Sequence, residues 1–100
     1  KKVTSKKAIS YSVVKSGMIG LTKYLSTYWS DNNVRSNCLC PGGIQNNQNK
    51  SFLTKIEELI PLKRMAKKND YNSTIVWMLS DENSYMNGAV ISVDGGRTAW

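Results

Sequence analysis

The run Val34-Arg35-Ser36-Asn37-Cys38-Leu39-Cys40-Pro41-Gly42-Gly43 decides how this chain is read. Residues 34–40 suit a strand, with Val34, Ser36, Cys38 and Cys40 on one face and Arg35, Asn37 and Leu39 on the other. Pro41-Gly42-Gly43 stops it sharply. A second strand is expected over 89–94, where β-branched residues run into Asp94-Gly95-Gly96. About fifty residues separate the two strands, and they read as helical, so a parallel right-handed crossover is the natural pairing.

Working outward, Ser10 can cap a helix over 10–30. Its apolar residues Val14, Met18, Leu21, Leu25 and Trp29 form a stripe suited to a core. A second face carries Val13, Gly17, Gly20, Tyr24 and Tyr28. Each helical glycine costs about 1 kcal/mol relative to alanine, so a closely packed second backbone is expected there. Asp31-Asn32-Asn33 ends that helix. Residues 45–68 hold an amide-rich loop, a short helix capped by Ser51 and ended at Pro61, and a connection. Asp70 can cap a last helix over 70–80. Residues 1–9 read as a basic loop. The order is helix, strand, helix, helix, strand, an α/β class. Two parallel strands make a poor free-standing sheet, so the chain is expected to be incomplete as a free-standing domain, one end of a larger doubly wound sheet.

Composition narrows the function. The chain has 100 residues, 40% hydrophobic and 21% charged, enough for one small domain with a packed core. No apolar run reaches the length of a membrane span, and no secretory leader is expected behind the lysine-rich start. Histidine is absent, which excludes histidine-based triads and metal sites within the chain. Fourteen Lys and Arg against seven Asp and Glu leave a net charge of +7. That balance raises nucleic acid as a partner. The lysines of residues 1–7 and the group Lys63, Arg64, Lys67 and Lys68 are not interleaved with aromatics, so a stacking platform is not expected. Cys38 and Cys40 cannot build a disulfide framework and, with no further Cys or His beside them, make a poor metal site, so no metal is expected. They read as small buried side chains in a reducing compartment.

Tyr11 and Lys15 stand one turn apart at the start of the first helix. A phenol titrates near 10, about three units too high for a base at neutral pH. A neighbouring ammonium and a helix N-terminus both favour the phenolate. The pair is a plausible proton donor and acceptor. The same spacing also suits a half-buried aromatic beside a solvated lysine.

The surroundings carry more weight. Tyr11-Ser12-Val13-Val14-Lys15-Ser16-Gly17 resembles the active-site helix of the short-chain dehydrogenase/reductase family. Val34 to Ile44 resembles its sixth strand with the Asn-x-x-x-Pro-Gly motif. Pro61-Leu62-Lys63-Arg64-Met65 resembles the segment after its lid helices. Leu79-Ser80-Asp81, Ser84 to Gly88 and Val93-Asp94-Gly95-Gly96 resemble its C-terminal strand and turn. The matches run in order over residues 10–100.

This resemblance implies the C-terminal part of a Rossmann-like sheet. It implies reversible hydride transfer between NAD or NADP and a carbonyl or alcohol substrate. Tyr11 corresponds to the general acid/base. Lys15 corresponds to its electrostatic partner and a donor to the nicotinamide ribose. Pro41, Gly42, Gly43 and Ile44 correspond to the loop lining the nicotinamide. Asn46 stands where many members have a cofactor-contacting threonine. Phe52 to Arg64 corresponds to the substrate lid, and Asp94-Gly95-Gly96 to a structural turn. The Gly17, Gly20, Tyr24 and Tyr28 face matches a helix-on-helix contact in a homo-oligomer. A cytoplasmic setting without membrane is expected. The loop after Gly43 and the Arg-Thr-Ala-Trp ending resemble bacterial members associated with surface-polysaccharide or flagellin-sugar biosynthesis.

The family's glycine-rich dinucleotide loop, catalytic serine and active-site asparagine have no counterpart here. The chain is therefore expected to be a segment of a longer enzyme, inactive alone and able to bind NAD(P) only within the complete protein. Two other readings stand beside this one. One is a truncated, non-catalytic remnant acting through association. The other is a basic nucleic-acid-binding module.

Overall fold

The computed structural model describes residues 9–100. Residues 1–8, and with them nearly all of the expected basic loop, lie outside the described residues; Ile9 already belongs to the first helix. That helix, α1, runs Ile9–Tyr28. Ser10 therefore sits inside it rather than capping it. A short 3-10 turn, Ser30–Asn32, follows. Asn33 then takes a left-handed conformation (φ 59°) and donates its N–H to the Ser30 carbonyl, which ends the helical run.

Two strands form the sheet, β1 at Cys38–Pro41 and β2 at Val90–Val93. They pair in parallel, with Cys38 opposite Val90 and Pro41 opposite Val93. Between them come α2, Lys50–Glu58, and α3, Asn72–Leu79. The helix-strand-helix-helix-strand order is the one expected from the pattern.

Several boundaries move, each for a local reason. β1 is shorter than residues 34–40 because its approach pairs through side chains. Asn37 Nδ2 donates to the Met86 carbonyl at 2.9 Å, and Asn37 Oδ1 accepts the Ala89 N–H at 2.9 Å. The Ser36 carbonyl accepts the Gly88 N–H, and the Ser36 N–H donates to Asn87 Oδ1. The Arg35 guanidinium spans the Met86, Met78 and Ser80 carbonyls, joining the end of α3 to the turn before β2. This clamp fixes where β2 meets β1. Asn49, not Ser51, caps α2 by accepting the Phe52 N–H at 2.8 Å. Asp70 does not cap α3 directly. It lies in a 3-10 turn, Lys68–Tyr71, where its carboxylate accepts the Lys67 N–H and an Arg64 N–H.

The core is small. Ile60, Met65, Tyr71 and Met78 are its buried apolar side chains. The α1 stripe expected to face a core does not. Val14 is 62% exposed and Met18 and Leu21 are each 50% exposed. On α1 only Thr22 and Ser26 are buried, where Lys23 and Ser26 meet the Asn87-Gly88 turn. No layer among the described residues covers the rest. The radius of gyration is 16.5 Å, against about 13 Å for a compact chain of this length. Among the described residues, no helix is long and apolar enough to cross a membrane.

Candidate active site

The carboxyl ends of parallel strands are where ligands collect in open α/β sheets. Here β1 ends at Pro41 and passes into Gly42-Gly43. The turn is held from three sides. The Gly42 N–H donates to the Val93 carbonyl, continuing the ladder one step past the strand. Tyr71 Oη donates to the Gly42 carbonyl at 3.0 Å. The Ala66 N–H donates to the Gly43 carbonyl, and the Gln45 N–H to the Ala66 carbonyl, forming a parallel bridge between Ile44 and Ala66.

Position 42 is tightly confined. A Cβ there would stand 3.0 Å from the Asp94 Cα, so the loop touches the turn after β2 backbone to backbone. In a parallel bridge of this register the N–H and carbonyl of the central residue point away from the partner. The Ile44 N–H accordingly has no acceptor among the described residues. The Ile44 carbonyl takes Gln48 Nε2, and the Asn46 N–H donates to Gln48 Oε1, so the Ile44–Gln48 loop closes on itself.

α1 supplies the second group. The Lys15 ammonium lies 5.5 Å from the centre of the Tyr11 ring, both side chains on the exposed N-terminal part of the helix. Lys15 also acts across the gap to β1. Burial, the hydrogen bond with Cys38 and the charge on Cys38 push the Cys40 thiol above its ordinary value, while the Lys15 ammonium pulls it back.

A cleft of about 360 Å³ opens beside the same loop. Gly42 and Gly43, Phe52, Ile56 and Ile60 of the lid region, and Arg97 are among the residues that line it. Tyr11 and Lys15 do not line it. The structure thus joins Gly42 and Gly43 with the lid, and Tyr11 with Lys15, but brings neither Pro41 and Ile44 nor the helix pair into this cleft.

The turn after β2 behaves as a structural element. Asp94 accepts the Thr98 hydroxyl at 2.6 Å and the Gly96 N–H at 3.0 Å. The Thr98 contact, above all, holds its carboxyl below the ordinary value. The basic group near residue 64 is also engaged locally. Arg64 pairs with Asp70 at 2.8 Å, and Lys63 lies over the Trp100 ring. Among the described residues, no cluster of three or more His, Cys, Asp or Glu could hold a metal ion.

Sequence reading missed three supports of this site: the Tyr71 hydroxyl on Gly42, the Ile44–Ala66 bridge, and the Arg35 and Asn37 clamp. Only Asn37 had a signal, as the first residue of the Asn-x-x-x-Pro-Gly motif.

Known proteins resemble this chain in sequence and fold. Residues 1–98 match a family model described as enoyl-(acyl carrier protein) reductase. The chain is 36% identical over 100 residues to an NADH-dependent L-xylulose reductase of Ambrosiozyma monospora, covering 92% of this chain and 37% of that protein. It is 36% identical over 93 residues to post-translational flagellin modification protein A of Campylobacter coli, covering 93% and 36%. Its fold superposes with TM-score 0.84 on a short-chain dehydrogenase of Leptospira borgpetersenii with bound NAD+, 35% identical over 88% of this chain and 35% of that one. A 4-hydroxyisoleucine dehydrogenase complexed with NADH superposes with TM-score 0.88 at 27% identity, covering 98% and 43%. The chain spans less than two fifths of the length of these curated relatives.

Proposed function

Because this chain belongs to the short-chain dehydrogenase/reductase family, we propose that it supplies the proton-transfer pair and the nicotinamide-side loop of an NAD(P)-dependent oxidoreductase. The observation that carries this reading is that the Lys15 ammonium lies 5.5 Å from the centre of the Tyr11 ring, on the helix that precedes the strand running into the Pro41–Ile44 loop.

The residues fit a nicotinamide cofactor. The open Ile44 N–H is a donor suited to a carboxamide oxygen, and Gly42 and Gly43 leave that face of the loop without side chains. When bound, the nicotinamide supplies or accepts the hydride. Tyr11 gives a proton to the substrate carbonyl oxygen during reduction and takes it from the alcohol during oxidation. Lys15 holds a positive charge one turn from Tyr11 and would donate to the ribose of the bound cofactor. Pro41, Gly42, Gly43 and Ile44 line the nicotinamide, with Asn46 further along the same loop. Phe52 to Arg64 forms the lid over a carbonyl or alcohol substrate and excludes water. The dinucleotide loop and catalytic serine come from the remainder of a complete enzyme. The free thiols Cys38 and Cys40 suit a reducing, cytoplasmic compartment.

The exposed face of α1 supports homo-oligomeric assembly. A Cβ built on Gly17 or Gly20 meets nothing within 4 Å, and Tyr24 and Tyr28 beside them are more than half exposed. A second helix can approach there closely. A chain acting through association alone would use this same face.

Replacing Tyr11 with Phe in the complete enzyme tests the catalytic reading. Turnover should fall by about 10²–10⁴-fold, the range for a lost general acid/base, with cofactor binding largely kept. Unchanged turnover would remove Tyr11 from the mechanism.

A further inference from the structure

Tyr71 lies outside every stretch of sequence that carries the family resemblance, yet its hydroxyl donates to the Gly42 carbonyl at 3.0 Å. We propose that Tyr71 is a positioning residue for the nicotinamide: its hydroxyl sets the plane of the Gly42–Gly43 peptide, and so the shape in which the Pro41–Ile44 loop meets the cofactor. This inference rests on the role proposed above for that loop.

The peptides of the loop differ in how they are held. The Pro41–Gly42 peptide is tied by its N–H to the Val93 carbonyl at 3.0 Å. The Gly43–Ile44 peptide is tied by its carbonyl to the Ala66 N–H at 3.0 Å. The Gly42–Gly43 peptide lies between these two anchors. Among the described residues, the Tyr71 hydroxyl is its hydrogen-bond partner. A peptide unit is planar, so holding the Gly42 carbonyl also fixes the direction of the Gly43 N–H. Glycine on both sides opposes rotation of this unit only weakly. The hydroxyl therefore decides an orientation that the backbone leaves open.

Tyr71 is itself firmly placed. It is 5% exposed, a burial made within this chain. It ends the Lys68–Tyr71 turn, where the Asp70 carboxylate accepts the Lys67 N–H at 2.6 Å and pairs with Arg64 at 2.8 Å. Met65, equally buried, packs against the next glycine, its Cε 2.9 Å from where a Gly43 Cβ would stand. The residues just after the lid thus grip the loop at Gly42, Gly43 and Ile44 in turn. A buried tyrosine hydroxyl needs some partner, and that need alone would account for a contact that only stabilises the fold. The two roles differ in what the loss of the hydroxyl does to the nicotinamide half of the cofactor.

Tyr71→Phe in the complete enzyme keeps the ring and removes the donor. Circular dichroism checks that the variant folds. NADH and NADPH are titrated by fluorescence, and the tighter one is compared with its nicotinamide-free counterpart, ADP-ribose or 2′-phospho-ADP-ribose. The cofactor should bind about 5-fold more weakly, the worth of one hydrogen bond, while the counterpart binds as it does to the parent. Cofactor binding that does not weaken, or a counterpart that weakens as much, would overturn the proposal. A parent enzyme that binds neither NADH nor NADPH would overturn the reading of the loop, and this inference with it. Tyr11→Phe is read from turnover, so its outcome is independent of this one.

Discussion

Replacing Asn37 with Ala should detach β2 from its register. The side chain makes two bonds, to the Met86 carbonyl and from the Ala89 N–H, both at 2.9 Å. The Met86 carbonyl keeps the Arg35 guanidinium at 3.0 Å, so the heavier loss falls on the Ala89 N–H, which sits half-buried one residue before β2. A hydrogen bond contributes about 1 kcal/mol net, and an unsatisfied buried donor costs about 1–3 kcal/mol. Together these give a destabilisation of about 2 kcal/mol. For a chain of this size that is a fall in Tm of roughly 10 °C. Thermal unfolding gives the total, and amide exchange at Ala89 locates it. Asn37→Asp sharpens the test. It keeps an acceptor for Ala89 but turns a carboxylate toward the Met86 carbonyl. Its deficit relative to the parent should shrink on acidification, as the protonated carboxyl becomes a donor again. A loss below about 0.5 kcal/mol for Asn37→Ala, with unchanged exchange at Ala89, would refute the clamp.

Acid should unpick two other points. The Arg64 hydrogen bond, then the Lys67 N–H, holds the Asp70 carboxyl below its ordinary value of 3.8, and Thr98 does the same first for Asp94. A carboxyl lowered by folding contributes stability above its unfolded value, and that contribution is lost as pH falls through the folded value. Tm should therefore be flat at neutral pH and drop below about pH 4, and Asp70→Asn should flatten that drop. Gly95→Ala should destabilise by about 1–2 kcal/mol, the cost of an alanine in a left-handed conformation, because Gly95 has φ 69°. Its Cβ would also stand 2.8 Å from Ile60 Cγ2 in the core. An unchanged Tm would count against this turn as a fixed element.

The parallel crossover was legible because both strands carry their own stop signals, Pro41-Gly42-Gly43 and Asp94-Gly95-Gly96. The elements between them were legible for the same reason, through helical spacing and Pro61. What the pattern misplaced was decided by long-range partners. Val34 to Asn37 has the alternation of a strand, yet Arg35 and Asn37 spend their polar groups on carbonyls 43 to 51 residues away. Asp70 looks like a helix cap until Arg64 claims its carboxylate. The α1 stripe reads as core-facing, and its periodicity is real, but among the described residues only Thr22 and Ser26 of the helix are buried. At the site, the motif residues were named from their local run. Tyr71 could not be, because nothing in an isolated tyrosine reveals that its hydroxyl will meet the Gly42 carbonyl.

The pairing of Cys38 with Val90 also has a meaning in time. A ribosome adds about 5–20 residues per second, so β1 leaves synthesis several seconds before its partner exists. Throughout that interval the edge that will meet β2 is open, able to recruit the wrong neighbour. Pro41 limits the hazard, since it has no N–H to offer a passing strand. So the residue that ends the strand in the finished fold also guards it while the chain is still being made.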